Sequence, residues 1–429
     1  MLNLFEATAM VLAVTAVACW VNAKFFKLPV AVGLLLVGLL VTILVAVTDR
    51  FAPQLSAGVH FGRLLGEVDY PKLVLDFMLA YLLFAGAMNI NLGALMRRGW
   101  AAGVLATLGT VITMVLVAAC FWGVCRLAGV AMPVSWALVF GALISPTDPI
   151  AVLAMTRRTD LEPHLQAQLE GEALFNDGVA VVLFKAVLAY AVGEAAGGGH
   201  TDLAGLAQHA AIESVGGMAV GLGVALAAVV VIYAINDWIT ETLVTLATAT
   251  LVYTINLHFH LSGPLGVVVA GLVMASGWAA RGLSEKARHY IHPFWHVVDE
   301  GMNAVLFFLV GLVAFLLKLS PPLVILLMAG PAIVLVCRWI AVALPGSALP
   351  LIGKKATLKL YNVLTWAGVR GGLSIAMVLS LPDVPERQPI FAAALGVVGF
   401  SILIQSLTME KLAIRTGYGS ARPDPEPTL

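Results

Sequence analysis

Residues 170–184 read EGEALFNDGVAVVLF, with Asp177 in the middle. Apolar residues follow it almost without interruption, while Glu172 and Asn176 precede it. The stretch lies within a mostly apolar run over 165–193, and a membrane-spanning helix needs only about 20 such residues. At about 1.5 Å per residue, a position a dozen residues into that span is about 18 Å along it. That puts Asp177 near the bilayer midplane, where a charge is costly and functional by default. Loss of water disfavours the charged form of a carboxylate. A group so placed can hold a proton or a small cation in turn, and that competition is an exchange mechanism in itself.

The whole chain has the character of this stretch. Of its 429 residues, 61% are hydrophobic and 11% charged, against about 25% charged in ordinary soluble domains. Mean hydropathy is +0.98. The fold class expected is an all-α polytopic membrane protein. Net charge is zero, so composition offers no nucleic-acid partner. The longest polar gap, 48–72, is too short for a soluble domain. The first residues lack a basic n-region and a cleavage site, so the first apolar run reads as a retained span. Cys19, Cys120, Cys125 and Cys337 fall in or beside apolar runs and read as packed thiols, not as a disulfide or metal framework.

Span length divides the chain into about thirteen helices. They cover roughly 5–23, 28–48, 73–95, 99–121, 134–156, 165–193, 207–234, 240–257, 264–280, 294–317, 322–345, 356–381 and 389–410. Basic residues test that division. Loops after odd-numbered spans and the C-terminus hold Lys24, Lys27, Arg97, Arg98, Arg157, Arg158, Arg281, Lys286, Arg288, Lys354, Lys355, Lys359, Lys411, Arg415 and Arg422. The other side holds only Arg50, Arg63, Lys72, Arg126, Lys318 and Arg387. The positive-inside rule therefore puts the C-terminus in the cytoplasm and the N-terminus outside. Spans 1–6 and 8–13 are offset by seven, an odd number, so the halves can be inverted repeats around span 7.

Two spans are interrupted. Span 5 carries Ser145-Pro146-Thr147-Asp148-Pro149, and prolines at this spacing should release the carbonyls of Ala142 and Ser145. Span 12, seven later, carries Gly368-Val369-Arg370-Gly371-Gly372. Irregular backbone at membrane depth is tolerated only inside protein or beside water, and matching breaks in two halves point to an ion or substrate site. The plainer alternative is a proline kink and a glycine contact; charges at both breaks, Asp148 and Arg370, weigh against it.

Helical spacing sorts the acids. Ala173 and Asp177 are four apart and share one face, and Glu172 and Asn176 share the adjacent one. Glu172 is thus placed to meet a cation from another span, and Arg338 in span 11 is the expected partner, either as structural glue or as a pair that also shapes the site. Asp148 can bind a cation through water or cap helix-end N–H groups. Arg370 is expected to neutralise the carbonyl ends at the span-12 break. Lys185 is expected to snorkel, and Asp76 reads as a further buried acid without an assigned partner. His289, His292 and His296, and His258 with His260, lie near span ends. Interfacial packing is the plainer reading beside metal binding or pH sensing.

SPTDPIAV in span 5, GEALFNDGVAVVLF in span 6, the Arg338 segment and WAGVRGGLSIAMVLSLP in span 12 resemble the monovalent cation–proton antiporters of the NhaP and sodium–hydrogen exchanger type. LLFAGAMNI and DEGMNAVLFFLVGL fit the same family, and the likeness covers nearly the whole chain. It implies an NhaA/NhaP-like antiporter fold with two broken crossing helices, and a homodimer in the plasma (inner) membrane. A dimerisation scaffold would comprise 1–95 and 240–317, and an ion-translocating core 99–193 and 322–410. Residues 207–234 would link them, and 411–429 would form a short cytoplasmic tail without the long regulatory extension of animal exchangers. By resemblance, Asp177 matches the ion- and proton-binding aspartate and Asn176 the asparagine before it. Thr147, through its carbonyl, and Asp148 match the span-5 ligands, so Na⁺ would sit on Asp177 and Thr147. Glu172 and Arg338 match the family's acidic–basic pair, with Glu172 also counted, like Asn176, among the ion- and proton-binding residues, and Arg370 matches a second arginine. Ala173 departs from the family, which often has a serine oxygen there.

The resulting expectation is a secondary transporter, not an enzyme, that exchanges Na⁺ or Li⁺ for H⁺ without a cofactor. By the resemblance, Asn-Asp in place of Asp-Asp implies electroneutral one-for-one exchange, and the movement implied is elevator-like alternating access. K⁺/H⁺ exchange on the same fold is the alternative. A cation channel needs no titratable carboxylate, and an intramembrane aspartyl protease would need Asp148 and Asp177 as a dyad, with no Gly-x-Gly-Asp motif present.

Overall fold

Hydrocarbon offers no hydrogen bonds, so a chain this apolar must satisfy its backbone within helices. The computed structural model describes residues 4–67, 69–90, 92, 103–148, 159–161, 163–195, 203–348 and 358–421. Among them, ten helices are long and apolar enough to cross a membrane. In the first half these include α1 (Leu4–Val21, prolonged by a π turn to Phe26), α2 (Val30–Phe51) and α4 (Leu79–Asn89, entered through a π turn at Lys72–Met78). The next are α5 (Thr110–Leu127, entered through a π turn at Leu105–Gly109), α7 (Pro163–Ala195) and α8 (Leu203–Tyr233). In the second half they are α9 (Trp238–His258), α12 (Glu285–Val313), α13 (Pro321–Ala348) and α16 (Arg387–Phe400), which runs through a π turn into α17 (Ser406–Thr416). The polar gap after α2 holds a short helix, α3 (Ala57–Glu67). The only strands among the described residues are β1 (Thr159–Leu161) and β2 (Gly419–Ala421), an antiparallel pair with Thr159 opposite Ala421.

Three expected spans are not single long helices. The one expected over 134–156 is α6 (Val134–Ile144), which stops before Pro146. The one over 264–280 is α10 (Gly263–Met274) followed by α11 (Gly277–Gly282). The one over 356–381 divides into α14 (Leu358–Trp366) and α15 (Gly372–Leu379) with non-helical chain between. Pro149 and the end of span 5 lie outside the described residues.

Helix ends at the membrane rim are capped by side chains. Asp237 accepts the Thr240 N–H at 2.9 Å to start α9, and the Thr240 bonds hold its carboxyl below the usual range. Ser262, Ser276 and Ser284 cap α10, α11 and α12. Leu44, Val230 and Met328 are exposed on long helices, as lipid-facing residues must be. Helix contacts rely instead on small residues. Gly38 of α2 meets α12 so closely that an added Cβ would lie 2.6 Å from Phe308 O and 2.9 Å from Gly311 Cα. Thr42 one turn on donates to Gly311 O at 3.0 Å.

Two expectations are corrected. Asp76 is exposed rather than buried and lies in the field of Lys185, because the π turn carries it to the outer face. Cys120 is also exposed; its Sγ receives the Cys337 thiol at 3.7 Å. His289 and His292 are exposed near the start of α12, and among the described residues no three His, Cys, Asp or Glu groups gather as a metal site.

Candidate functional site

The two interruptions meet. Pro146 brings no N–H to the Ala142 carbonyl, and Ser145 takes its place through its N–H at 3.3 Å and its Oγ at 2.8 Å. The Arg370 guanidinium then reaches across from the other break. Its Nη1 donates to the Ser145 carbonyl at 2.6 Å and to the Pro146 carbonyl at 2.7 Å. Arg370 therefore neutralises the carbonyl end of α6, not the carbonyls at its own break as spacing suggested. It stands in the non-helical segment before α15, so its side chain is free of its own helix surface. The Asp148 N–H donates to the Val369 carbonyl at 2.7 Å, a backbone bond between the breaks.

The Thr147 N–H and hydroxyl and the Asp148 carboxylate each meet a neighbour. Asn176 uses both ends of its amide on Thr147: its Oδ1 accepts the Thr147 N–H at 3.2 Å and its Nδ2 donates to Thr147 Oγ1 at 2.6 Å. The Asn176 side chain is thus engaged as a brace for the break. The Asp148 carboxylate lies against Gly371, where an added Cβ would stand 2.1 Å from its Oδ2. Gly371 precedes α15, so this carboxylate sits at a helix N-terminus, whose N–H groups and dipole favour negative charge.

Glu172 and Arg338, both buried, form a hydrogen-bonded ion pair. Arg338 passes beside Gly368, whose absent Cβ would stand 3.1 Å from its Nε. A charge pair this deep is tenable only with such geometry, since either partner alone would leave an uncompensated buried ion.

A cavity of about 50 Å³ lies at the crossing. Its walls include Asp148 and Pro146 from the first break, Asp177 and Leu174 from α7, and Gly371 to Ser374 from the second break. The facing wall is α4, with Leu79, Leu83 and Gly86, and α12, with Asp299, Asn303 and Leu306. Asp177 and Asp148 are 8% and 7% exposed, so both reach the cavity from an otherwise buried position. The fields acting on Asp177 come from Asp148 and Arg370. Glu172, Ala173, Asn176 and Thr147 are buried but do not line the cavity. Of the residues singled out from sequence, the fold thus brings Asp177 and Asp148 together on one cavity. It sets Asn176 with Thr147, and Glu172 with Arg338, as supports behind them. Asn303 and Ser374 on the walls escaped the sequence reading.

Comparison with known proteins agrees with this architecture. Residues 11–415 match the family described as sodium/hydrogen exchanger, transmembrane. The Na(+)/H(+) antiporter NhaP of Pseudomonas aeruginosa is 32% identical over 424 residues, 97% of this chain and 98% of that protein. The Na(+)/H(+) antiporter NhaH of Halobacillus aidingensis is 31% identical over 405 residues, 92% of this chain and 94% of that one. In fold, the sodium proton antiporter MjNhaP1 of Methanocaldococcus jannaschii, solved at pH 8, superposes with a TM-score of 0.72 at 18% identity, covering 97% of this chain and 99% of that one. With its crossed helix breaks, its multi-pass helical fold and a family match over nearly its full length, the chain belongs to the sodium/hydrogen exchanger family.

Proposed function

We propose that Asp177 takes up Na⁺ or Li⁺ and H⁺ in turn, and that its alternation drives exchange of one cation for one proton. Family membership makes the chain a multi-pass membrane transporter of the sodium/hydrogen exchanger kind, not an enzyme. The observation that carries the assignment to Asp177 is its position: a carboxylate buried at the crossing of two broken helices, on the wall of a cavity. Charge counting supports the stoichiometry. Glu172 is cancelled by Arg338, and at the crossing one guanidinium, Arg370, stands against two carboxylates, Asp148 and Asp177. Of the carboxylates on α7 and at the two breaks, one is left whose charge is neutralised by a cation or by a proton, so with the charge of Asp299 on the facing helix unchanged a full cycle moves no net charge.

Alternating access supports the same reading. The cavity lies between the broken-helix region and the wall of α4 and α12, so a relative slide of the two walls would carry Asp177 from one side of the membrane to the other. In this reading the slide is that of a core domain against a scaffold that also forms the homodimer, with the C-terminus in the cytoplasm.

The test is antiport by the purified protein in proteoliposomes with a pH-sensitive dye. Wild type dissipates an imposed pH gradient when Na⁺ or Li⁺ is added, and Asp177→Asn does not. An active Asp177→Asn protein overturns the assignment. Clamping the membrane voltage leaves the wild-type rate unchanged if exchange is one for one; strong stimulation refutes that stoichiometry. Parallel additions of K⁺ show whether it is carried as well.

A further inference from the structure

We propose that Asn303 and Ser374 supply oxygen ligands to the alkali cation in the cavity beside Asp177, an assignment that rests on Asp177 being the exchange site. Both residues line that cavity, Asn303 on α12 and Ser374 in the first turn of α15. They are 2% and 1% exposed, and each has an oxygen without a hydrogen-bond partner, Asn303 Oδ1 and Ser374 Oγ. Buried polar atoms are nearly always satisfied, so two orphans on one cavity need an explanation.

Local chemistry explains why these particular oxygens are left over. Buried helical threonines elsewhere return their hydroxyl to the carbonyl four residues back, as Thr110 does to Ala106 and Thr113 to Gly109, each at 2.7 Å. Ser374 has no such helical carbonyl, because four residues back is Arg370, before α15 begins. Asn303 is turned by Asp299. Its Nδ2 donates to Asp299 Oδ1 at 3.0 Å. An ionised carboxylate only accepts, so the amide nitrogen must face it and the amide oxygen is turned away. What remains on offer is an acceptor, which suits a cation and not an anion.

The resulting ligand set is all oxygen, the preference of hard cations. Two of its members are neutral, so they add coordination without disturbing the charge balance of one-for-one exchange. The ligand class is therefore a partly dehydrated Na⁺ or Li⁺, held between Asp177 and oxygens from α12 and α15.

The experiment compares full-length wild type, Ser374→Ala, Asn303→Ala and Asp177→Asn in proteoliposomes, reading the half-saturating Na⁺ and Li⁺ concentrations, with thermal unfolding in detergent measured alongside. Loss of one oxygen ligand should raise the half-saturating Na⁺ concentration about threefold to tenfold and alter the Li⁺-to-Na⁺ preference. A merely structural Ser374 predicts the reverse pattern: removing an unpartnered hydroxyl leaves the unfolding midpoint equal or higher and the ion affinities unmoved. Should Asn303→Ala fail to fold, Ser374→Ala decides alone. Wild-type affinities for both ions in the folded variants overturn the assignment. If that occurs while Asp177→Asn is inactive, only this inference fails. Antiport by Asp177→Asn overturns the underlying reading as well.

Discussion

Glu172 and Asp177 are five residues apart on one helix, yet their neighbours give them different chemistry. Glu172 meets Arg338 in a buried ion pair, and Asp177 meets a cavity. If the pair only supports the site, it can be removed whole but not by halves. Glu172→Gln alone should cost about 3–5 kcal/mol, since it leaves Arg338 charged and buried, whereas Glu172→Leu with Arg338→Met should regain most of that loss. Thermal unfolding of both proteins measures this. Antiport by the double variant then separates glue from ion ligand, because a ligand role predicts a stable protein that fails to exchange. Asn176 admits a similar test. Asn176→Ala strips Thr147 of both its side-chain and N–H partners, at a cost of about 1–3 kcal/mol for the buried groups left unsatisfied. A drop in the unfolding midpoint is expected, and an unchanged midpoint would contradict the bracing role.

At the scale of elements, the site is the place where two helices decline to be helices. Gly371 is the tightest point of that crossing, and Gly371→Ala should push the Asp148 carboxylate away from the α15 N-terminus, because the new methyl would claim a position 2.1 Å from Asp148 Oδ2. The expected outcome is a folded protein with severely reduced antiport, read by size-exclusion profile and dye assay together; wild-type transport would show that Asp148 need not sit there. Much of this element-level picture was legible beforehand. Proline and glycine clusters mark both breaks, and the four-residue pairing of Glu172 with Asn176 and of Ala173 with Asp177 sets the two acids on different faces. What spacing does not carry is which group crosses to which. Nothing local to Arg370 indicates that its guanidinium serves carbonyls 224 and 225 residues away. Asp76 misled because a π turn rotates the face that a regular helix would bury. Asn303 sits in DEGMNAVLFFLVGL, a segment noted for its family likeness yet given no role. Ser374 had a readable signal: a serine immediately after a helix restart lacks the carbonyl that usually occupies its hydroxyl.

For the whole molecule, the proposed cycle requires the broken-helix region to move against α4 and α12, and the packing offers a direct way to stop it. A Cβ built on Gly372 of α15 lies 2.5 Å from Leu306 Cγ of α12. With a carbon–carbon bond of about 1.5 Å, the two Cβ positions are at most about 4 Å apart, inside the range a disulfide accepts. In a background lacking the native thiols at Cys19, Cys120, Cys125 and Cys337, Leu306→Cys with Gly372→Cys should form an intramolecular bond under mild oxidant, seen as a reducible mass-mapped cross-link. If transport depends on sliding across this contact, oxidation should abolish antiport and reductant should restore it, while each single variant responds to neither. A cross-linked protein that still exchanges Na⁺ for H⁺ would mean that these walls stay together throughout the cycle. Access to Asp177 would then have to alternate by movement of side chains, or of the rest of the broken-helix region past an α15 that stays fixed to α12.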